Sequence, residues 1–380
     1  MKILHDFQIF YIQIRGGVSR YHIELTDELI KEGYETERFI LFPINKYYND
    51  RKKISNTIRE KIYRKFVLSR FNRKLYLLNQ KKTISRIRRK KYDIIHMTWT
   101  DPYLFDAEIE TSKIVVTIHD MIQELLLDRS EGIKDEIYRK KRAIFESDGI
   151  IAISENTKTD ILRVYPDINE KKIRVIYHGT NHLPEPIKNE QIESLGKYLL
   201  YVGVRDDYKQ GMWFAKEVSG LLQEKDLKLL FVGGSSFSDG ETDLINKCGI
   251  ADRVLQLDLS DGELAYAYRN AVCFVYPTLY EGFGFPILEA FDNGCPVVCT
   301  RSSSLPEVGG DAAVYFDADD ADTMREKISV FCDEPFVREM CVKKGFDRTK
   351  NFTWEKTAEE TADFYREVLT GFTNEERNKC

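Results

Sequence analysis

Short apolar runs alternate along the chain with stretches in which apolar residues recur every three or four positions. Runs at 2–5, 38–42, 92–96, 114–118, 149–154 and 174–178 read as buried strands. After a proline-rich break at Leu183-Pro184-Glu185-Pro186 the pattern resumes, with runs at 198–202, 227–232, 254–257, 272–277, 296–300 and 313–316. Helical spacing fills the intervals. Leu25, Leu29 and Ile30 mark one helix, Ser154 is placed to cap another, and residues 263–270 form a third. Further helices follow Asp319, Pro335 and Thr353. Strand–helix alternation on both sides of the break predicts an α/β chain of two Rossmann-like, doubly wound domains. The expected boundaries are 1–183, a linker at 184–196, 197–352, and a C-terminal helical segment at 353–380. Phe7, Ile9, Phe10 and Tyr11 sit where a loop is expected after the first strand.

Length agrees, since 380 residues exceed one typical core. A hydrophobic fraction of 42% with 31% charged residues is that of a soluble globular protein. No apolar run reaches the roughly eighteen residues a membrane span needs, and MKILHDF lacks the apolar stretch of a signal peptide. The seven cysteines are odd in number and scattered, and Cys295 and Cys299 flank a strand with no histidine pair nearby. They are expected to be buried hydrophobes in a reducing cytoplasm.

The net charge of −5 conceals a split. Residues 51–91 hold seventeen Lys and Arg against one acid, Glu60, a local +16 that leaves −21 for the rest. Within them Ile54, Ile58, Ile62 and Phe66 repeat every four residues, predicting an amphipathic helix that Phe71, Leu75, Leu78 and Ile84 continue less regularly. Core packing alone and core packing combined with contact to an anionic bilayer fit this pattern about equally. A nucleic-acid arm is disfavoured, because no binding module accompanies it.

The most specific stretch is Glu281-Gly282-Phe283-Gly284-Phe285-Pro286-Ile287-Leu288-Glu289. It follows an apolar strand and enters a helix at Pro286, a residue suited to the first helical turn. The glycines let backbone approach a ligand, and the helix N-terminus favours an anion. Carboxylates do not bind phosphate but accept from hydroxyls. Phosphate on dipoles and hydroxyls on Glu281 and Glu289 suits a sugar nucleotide. A second strand–glycine–helix corner is Gly16-Gly17-Val18-Ser19-Arg20-Tyr21-His22-Ile23-Glu24-Leu25. His119 and Asp120 stand at the carboxyl end of a strand, where α/β sheets place ligands, although a structural histidine fits there too. Arg205 and Lys209 follow the first strand of the second domain.

Two glutamates seven residues apart around FGFP resemble the E-x7-E signature of retaining GT-B glycosyltransferases, in particular those of family 4. The GGxxRYxxEL corner, the His119-Asp120 pair and VGxRxxYKQ resemble the same family in the same order. The resemblance implies the GT-B fold, with two Rossmann-like domains facing across a cleft and a last helix that returns to the first domain. It also implies transfer of a hexose from a nucleotide diphosphate sugar to a glycan or polyprenyl-linked acceptor in cell-surface polysaccharide synthesis. GDP-mannose is placed slightly ahead of a UDP-hexose. Carried over by position, His119, Glu281, Arg205 and Lys209 are the catalytic candidates. Gly16, Gly17, Arg205, Lys209, Glu281, Gly282, Phe283, Gly284, Phe285 and Glu289 would bind the donor. No metal or other cofactor is expected, since Asp317-Ala318-Asp319 falls late in the chain at a helix cap. The expected location is the cytoplasm, or the inner face of its membrane. The rival readings are a nucleotide-sugar-binding protein without transferase activity and another GT-B enzyme such as an epimerase.

Overall fold

The structure is a computed structural model that describes residues 1–41, 43–52, 72–107, 109, 111–127, 130–180, 182–205 and 207–372. The chain divides into two units, residues 1–179 with 354–380, and residues 180–353.

The first unit is built on a six-stranded parallel sheet. Its strands are β1 (Lys2–His5), β2 (Glu35–Arg38), β3 (Ile94–Met97), β4 (Lys113–Ile118), β5 (Gly149–Ala152) and β6 (Ile173–Val175). Their order is β2-β1-β3-β4-β5-β6. β3, β4 and β5 are buried along nearly their whole length, which is why they read as continuous apolar runs. The chain reverses its direction across the sheet between β1 and β3, the position where such sheets bind ligands. The last helix, Trp354–Thr370, buries Trp354, Ala358, Thr361, Tyr365 and Val368, one face at helical spacing. Its Phe364 and Val368 lie so close to Gly149 that a Cβ there would stand 2.6 Å from Val368. Gly179 is held equally tightly, with a Cβ position 2.4 Å from the Trp354 nitrogen.

The second unit repeats the plan with β7 (Tyr198–Val202), β8 (Lys228–Val232), β9 (Val254–Leu257), β10 (Cys273–Tyr276), β11 (Val297–Thr300) and β12 (Val314–Phe316). The order β12-β11-β10-β7-β8-β9, all parallel, places the reversal between β7 and β10. Cys273, Cys295 and Cys299 are fully buried in this unit, and burial pushes the Cys295 thiol up to about 12.

Several expectations change. The apolar stretch after β1 is a short helix, Gln8–Ile12, and Phe7, Ile9, Phe10 and Tyr11 are core residues beside Tyr48, Tyr76 and Tyr103. Five residues are too few for periodicity to reveal. β2 runs Glu35–Arg38 rather than 38–42, in register with β1 from Lys2 to His5. As an edge strand it is half exposed, so it carries no apolar run. The division falls at Gly179 rather than after 183, and the expected linker belongs to the second unit. There Asn189 caps the helix Glu190–Glu193 and bonds Glu263, the Ile187 amide donates to the Gly262 carbonyl, and Ile192 is buried. Residues 53–71 of the basic stretch, with Ile54, Ile58, Ile62, Phe66 and Phe71, lie outside the described residues. The helix Asn72–Lys90 carries the remainder and buries Asn79, Thr83 and Ile87. Arg86 and Lys90 pair with Glu37, while Lys81, Lys82, Arg88 and Arg89 are exposed. Among the described residues, no helix is long and apolar enough to cross a membrane.

Candidate active site

In the second unit the site grows from the reversal between β7 and β10. The loop leaving β7 carries Arg205 and, in a short 3₁₀ turn, Lys209. The loop leaving β10 carries Glu281. Backbone joins them, because the Leu279 amide donates to the Tyr208 carbonyl at 2.8 Å. The Lys209 ammonium then meets the Glu281 carboxylate at 2.6 Å, with side chains 16% and 14% exposed. The Tyr208 and Tyr276 rings lie 5.4 and 5.9 Å from the ammonium.

Gly284 ends this loop at φ +99°, a backbone conformation that glycine adopts without strain. A Cβ there would also stand 2.9 Å from Leu305. The helix Phe285–Asp292 follows, with Pro286 in its first turn. Phe283 is buried against Phe285 and Phe352, so this aromatic anchors the loop. One turn into the helix, Glu289 accepts from the buried Tyr268 hydroxyl at 3.5 Å.

Arg205 lies in the same loop, four residues before Lys209. Its side chain is 3% exposed and bonds Glu241 at 2.6 Å and the carbonyls of Gly233, Gly234 and Ser235 at 3.0–3.1 Å. The guanidinium also stacks over Phe237 at 4.7 Å. These partners engage its planar donor fork and tie the loop after β7 to the segment from Gly233 to the helix carrying Glu241. Gly234 permits this, as a Cβ there would meet the guanidinium at 2.9 Å.

In the first unit Gly16 precedes the helix Gly17–Lys31, and the Gln13 side chain accepts from the Ser19 amide at 3.0 Å. His119 follows β4. It belongs to a cluster of five of the six histidines, His5, His22, His96, His119 and His178, with Tyr21, Trp354 and Tyr365. Burial, more than their mutual repulsion, pushes all five rings below the usual histidine range, His96 to about 3 and His119 to about 4. They are neutral imidazoles at pH 7. His5, His22 and His96 bring ring nitrogens within 4.8 Å of one another, a spacing that invites a metal ion. His96, however, uses both nitrogens on the Tyr365 and Thr117 hydroxyls, at 2.6 and 2.7 Å. The trio is therefore read as packed core. His119 Nε2 is buried without a hydrogen-bond partner among the described residues, and a small pocket beside it is lined by Trp99, Asp120, Gln123, Glu136 and Lys140.

Residues 15–182 match the model of Glycosyltransferase Family 4, and residues 196–334 match that of Glycosyl transferases group 1. The chain belongs to the family 4 glycosyltransferases. It is 25% identical to O-antigen chain mannosyltransferase B of Escherichia coli over 368 residues, 92% of this chain and 96% of that protein. Among solved structures, a glycosyltransferase from Rickettsia africae superposes with a TM-score of 0.72 at 18% identity, covering 97% of this chain and 99% of that one. Anabaena HepE in complex with UDP-glucose does so at 0.71 and 14% identity, covering 96% and 98%. The fold of this glycosyltransferase is accordingly GT-B.

Two sets of supporting residues in the glycosyltransferase escape a reading by motif. Ser303 accepts from the Glu281 amide at 2.8 Å, and Ser304 donates to the Glu281 carbonyl at 2.9 Å. They follow β11, the neighbour of β10, so the serine run 302–304 at a strand's carboxyl end was the available signal. Glu241, the partner of Arg205, opens a helix behind a Ser238 capping box and gave no such sign.

Proposed function

We propose that this glycosyltransferase transfers a hexose, with retention and without a metal ion, from a nucleotide diphosphate sugar to a glycan or lipid-linked acceptor in cell-surface polysaccharide synthesis. The observation that carries the reading is the Lys209–Glu281 pair at the sheet reversal, directly ahead of the helix Phe285–Asp292. Departure of the nucleotide diphosphate leaves negative charge on phosphate and an oxocarbenium-like sugar. Lys209 and the first amides of that helix supply the positive potential for the phosphate. Glu281 accepts from a sugar hydroxyl, and Glu289 from the ribose hydroxyls. His119 lies beside the sugar and its acceptor, and the departing phosphate takes the acceptor's proton on the same face. GDP-mannose stands slightly ahead of UDP-glucose, supported by the mannosyltransferase relative and weighed against the UDP-glucose complex of HepE.

Incubating the purified protein with GDP- and UDP-sugars is expected to release the nucleotide from one class, and to do so undiminished in EDTA. Loss of turnover in chelator that manganese or magnesium restores would show that a metal is required. For the acceptor, the exposed cations Lys81, Lys82, Arg88 and Arg89 support an anionic membrane surface. The protein is expected to float with vesicles containing phosphatidylglycerol, less so as salt rises, and to ignore zwitterionic ones. Failure to float with the anionic vesicles even at low salt would leave the basic stretch a solvated face and point to a soluble acceptor.

A further inference from the structure

We infer that Lys140 is a positioning residue for the transfer reaction, setting the direction in which His119 faces its pocket. The inference rests on the proposed role of His119.

Lys140 lies in the third turn of the helix Glu131–Glu146, yet its side chain is only 8% exposed. A lysine is rarely buried without a partner, and here four acceptors surround the ammonium. It donates to the Asp120 carbonyl at 3.0 Å, to Gln123 Oε1 at 2.5 Å and to Glu124 Oε2 at 3.0 Å, with Asp120 Oδ1 at 3.7 Å. Glu124 is 3% exposed, so this is a desolvated ion pair. Its other oxygen accepts from the Tyr165 hydroxyl at 3.5 Å, which ties it to the core. Asp120 Oδ1 in turn accepts from the Ile122 amide at 3.2 Å.

The ammonium thus holds the turn between β4 and the short helix Ile122–Leu125 together with that helix, and His119 is the first residue of the turn. A peptide carbonyl held by a buried ammonium cannot rotate freely, and the adjoining peptide orients the His119 Cα. Tyr21 and His178 pack on the imidazole at ring-centroid distances of 5.3 and 5.7 Å, fixing the plane that this backbone aims. Although Lys140 also lines the pocket beside His119, its ammonium is taken up by Asp120, Gln123 and Glu124, so its action is on the placement of His119.

The test avoids leaving Glu124 buried and unpaired by changing both partners, Lys140→Met with Glu124→Gln. In the full-length protein with ¹³C-labelled histidine rings, the His119 signal, identified by its loss in His119→Ala, is expected to move while the His182 signal stays. Release of nucleotide from GDP-mannose or UDP-glucose should fall about tenfold to a hundredfold in kcat, with donor KM within about twofold. In a His119→Ala background the same pair of changes should cost less than about twofold, as for residues acting as a unit. An unmoved His119 signal, or an equal loss in both backgrounds, overturns the inference. If the pair variant does not fold, Lys140→Arg, which keeps the charge with a larger head, must shift the same signal. Failure of the wild type to release nucleotide from any sugar sinks the proposed function, and the His119 signal still decides the placement of Lys140.

Discussion

Lys209→Ala is expected to lower kcat/KM for the nucleotide-sugar donor by about a hundredfold or more, the scale of removing one preorganised charge contact. The expectation comes from where the ammonium sits. Tyr208 is bonded to Leu279 of the neighbouring loop, so Lys209 is delivered to Glu281 by backbone and does not depend on a flexible chain finding its place. A charge held in position before the donor arrives needs no reorganisation when phosphate charge develops. Lys209→Arg should recover little, because a planar fork cannot occupy the space of a compact ammonium between two tyrosine rings. Steady-state kinetics on protein with unchanged circular dichroism checks this. Near-normal turnover by a folded Lys209→Ala protein would remove the residue from the site. Arg205 offers the contrast. Its substitution should act first on the melting temperature, since its partners are Glu241 and three backbone carbonyls.

The second large effect is acid unfolding of the first unit. His5, His22, His96 and His178 are fully buried, and burial depresses all four below the ordinary histidine value of about 6.5. As pH falls below 6.5 the unfolded chain binds protons that the folded chain refuses, so stability falls with pH. Each ring contributes a slope of about 1.4 kcal/mol per pH unit between its two pKa values. Four such slopes exhaust an ordinary domain stability of about 5–15 kcal/mol within a few pH units. Asp6 works in the opposite sense, because burial raises its carboxyl, yet one group does not balance four rings. Tertiary structure should therefore be lost cooperatively between about pH 6 and pH 4, with the melting temperature dropping steeply over the same interval. A melting temperature that stays level from pH 7 to pH 4.5 would contradict neutral, packed imidazoles.

The sequence by itself determined the architecture and the chemical class of the site. Parallel strands covered on both faces must be nearly continuous apolar runs, so β3–β5, β7, β8, β10 and β11 announced themselves and their alternation with helices implied two doubly wound sheets. Glu281 through Glu289 was legible because glycine, proline and carboxylate each answer a local requirement, and local requirements are written in neighbouring positions. What spans the chain was not. Lys209 and Glu281 stand 72 residues apart and meet only because β7 and β10 are neighbours in the sheet. Arg205 and Lys209 looked alike in sequence, and only the packed structure showed that Arg205 pairs with Glu241 and Lys209 with Glu281. The histidines at positions 5, 22, 96, 119 and 178 carry no spacing signal at all. Their convergence at the carboxyl ends of β1, β3 and β4, and with it their neutrality, was decided by the order of the strands, because desolvation belongs to the packed surroundings of a ring and not to its place in the chain.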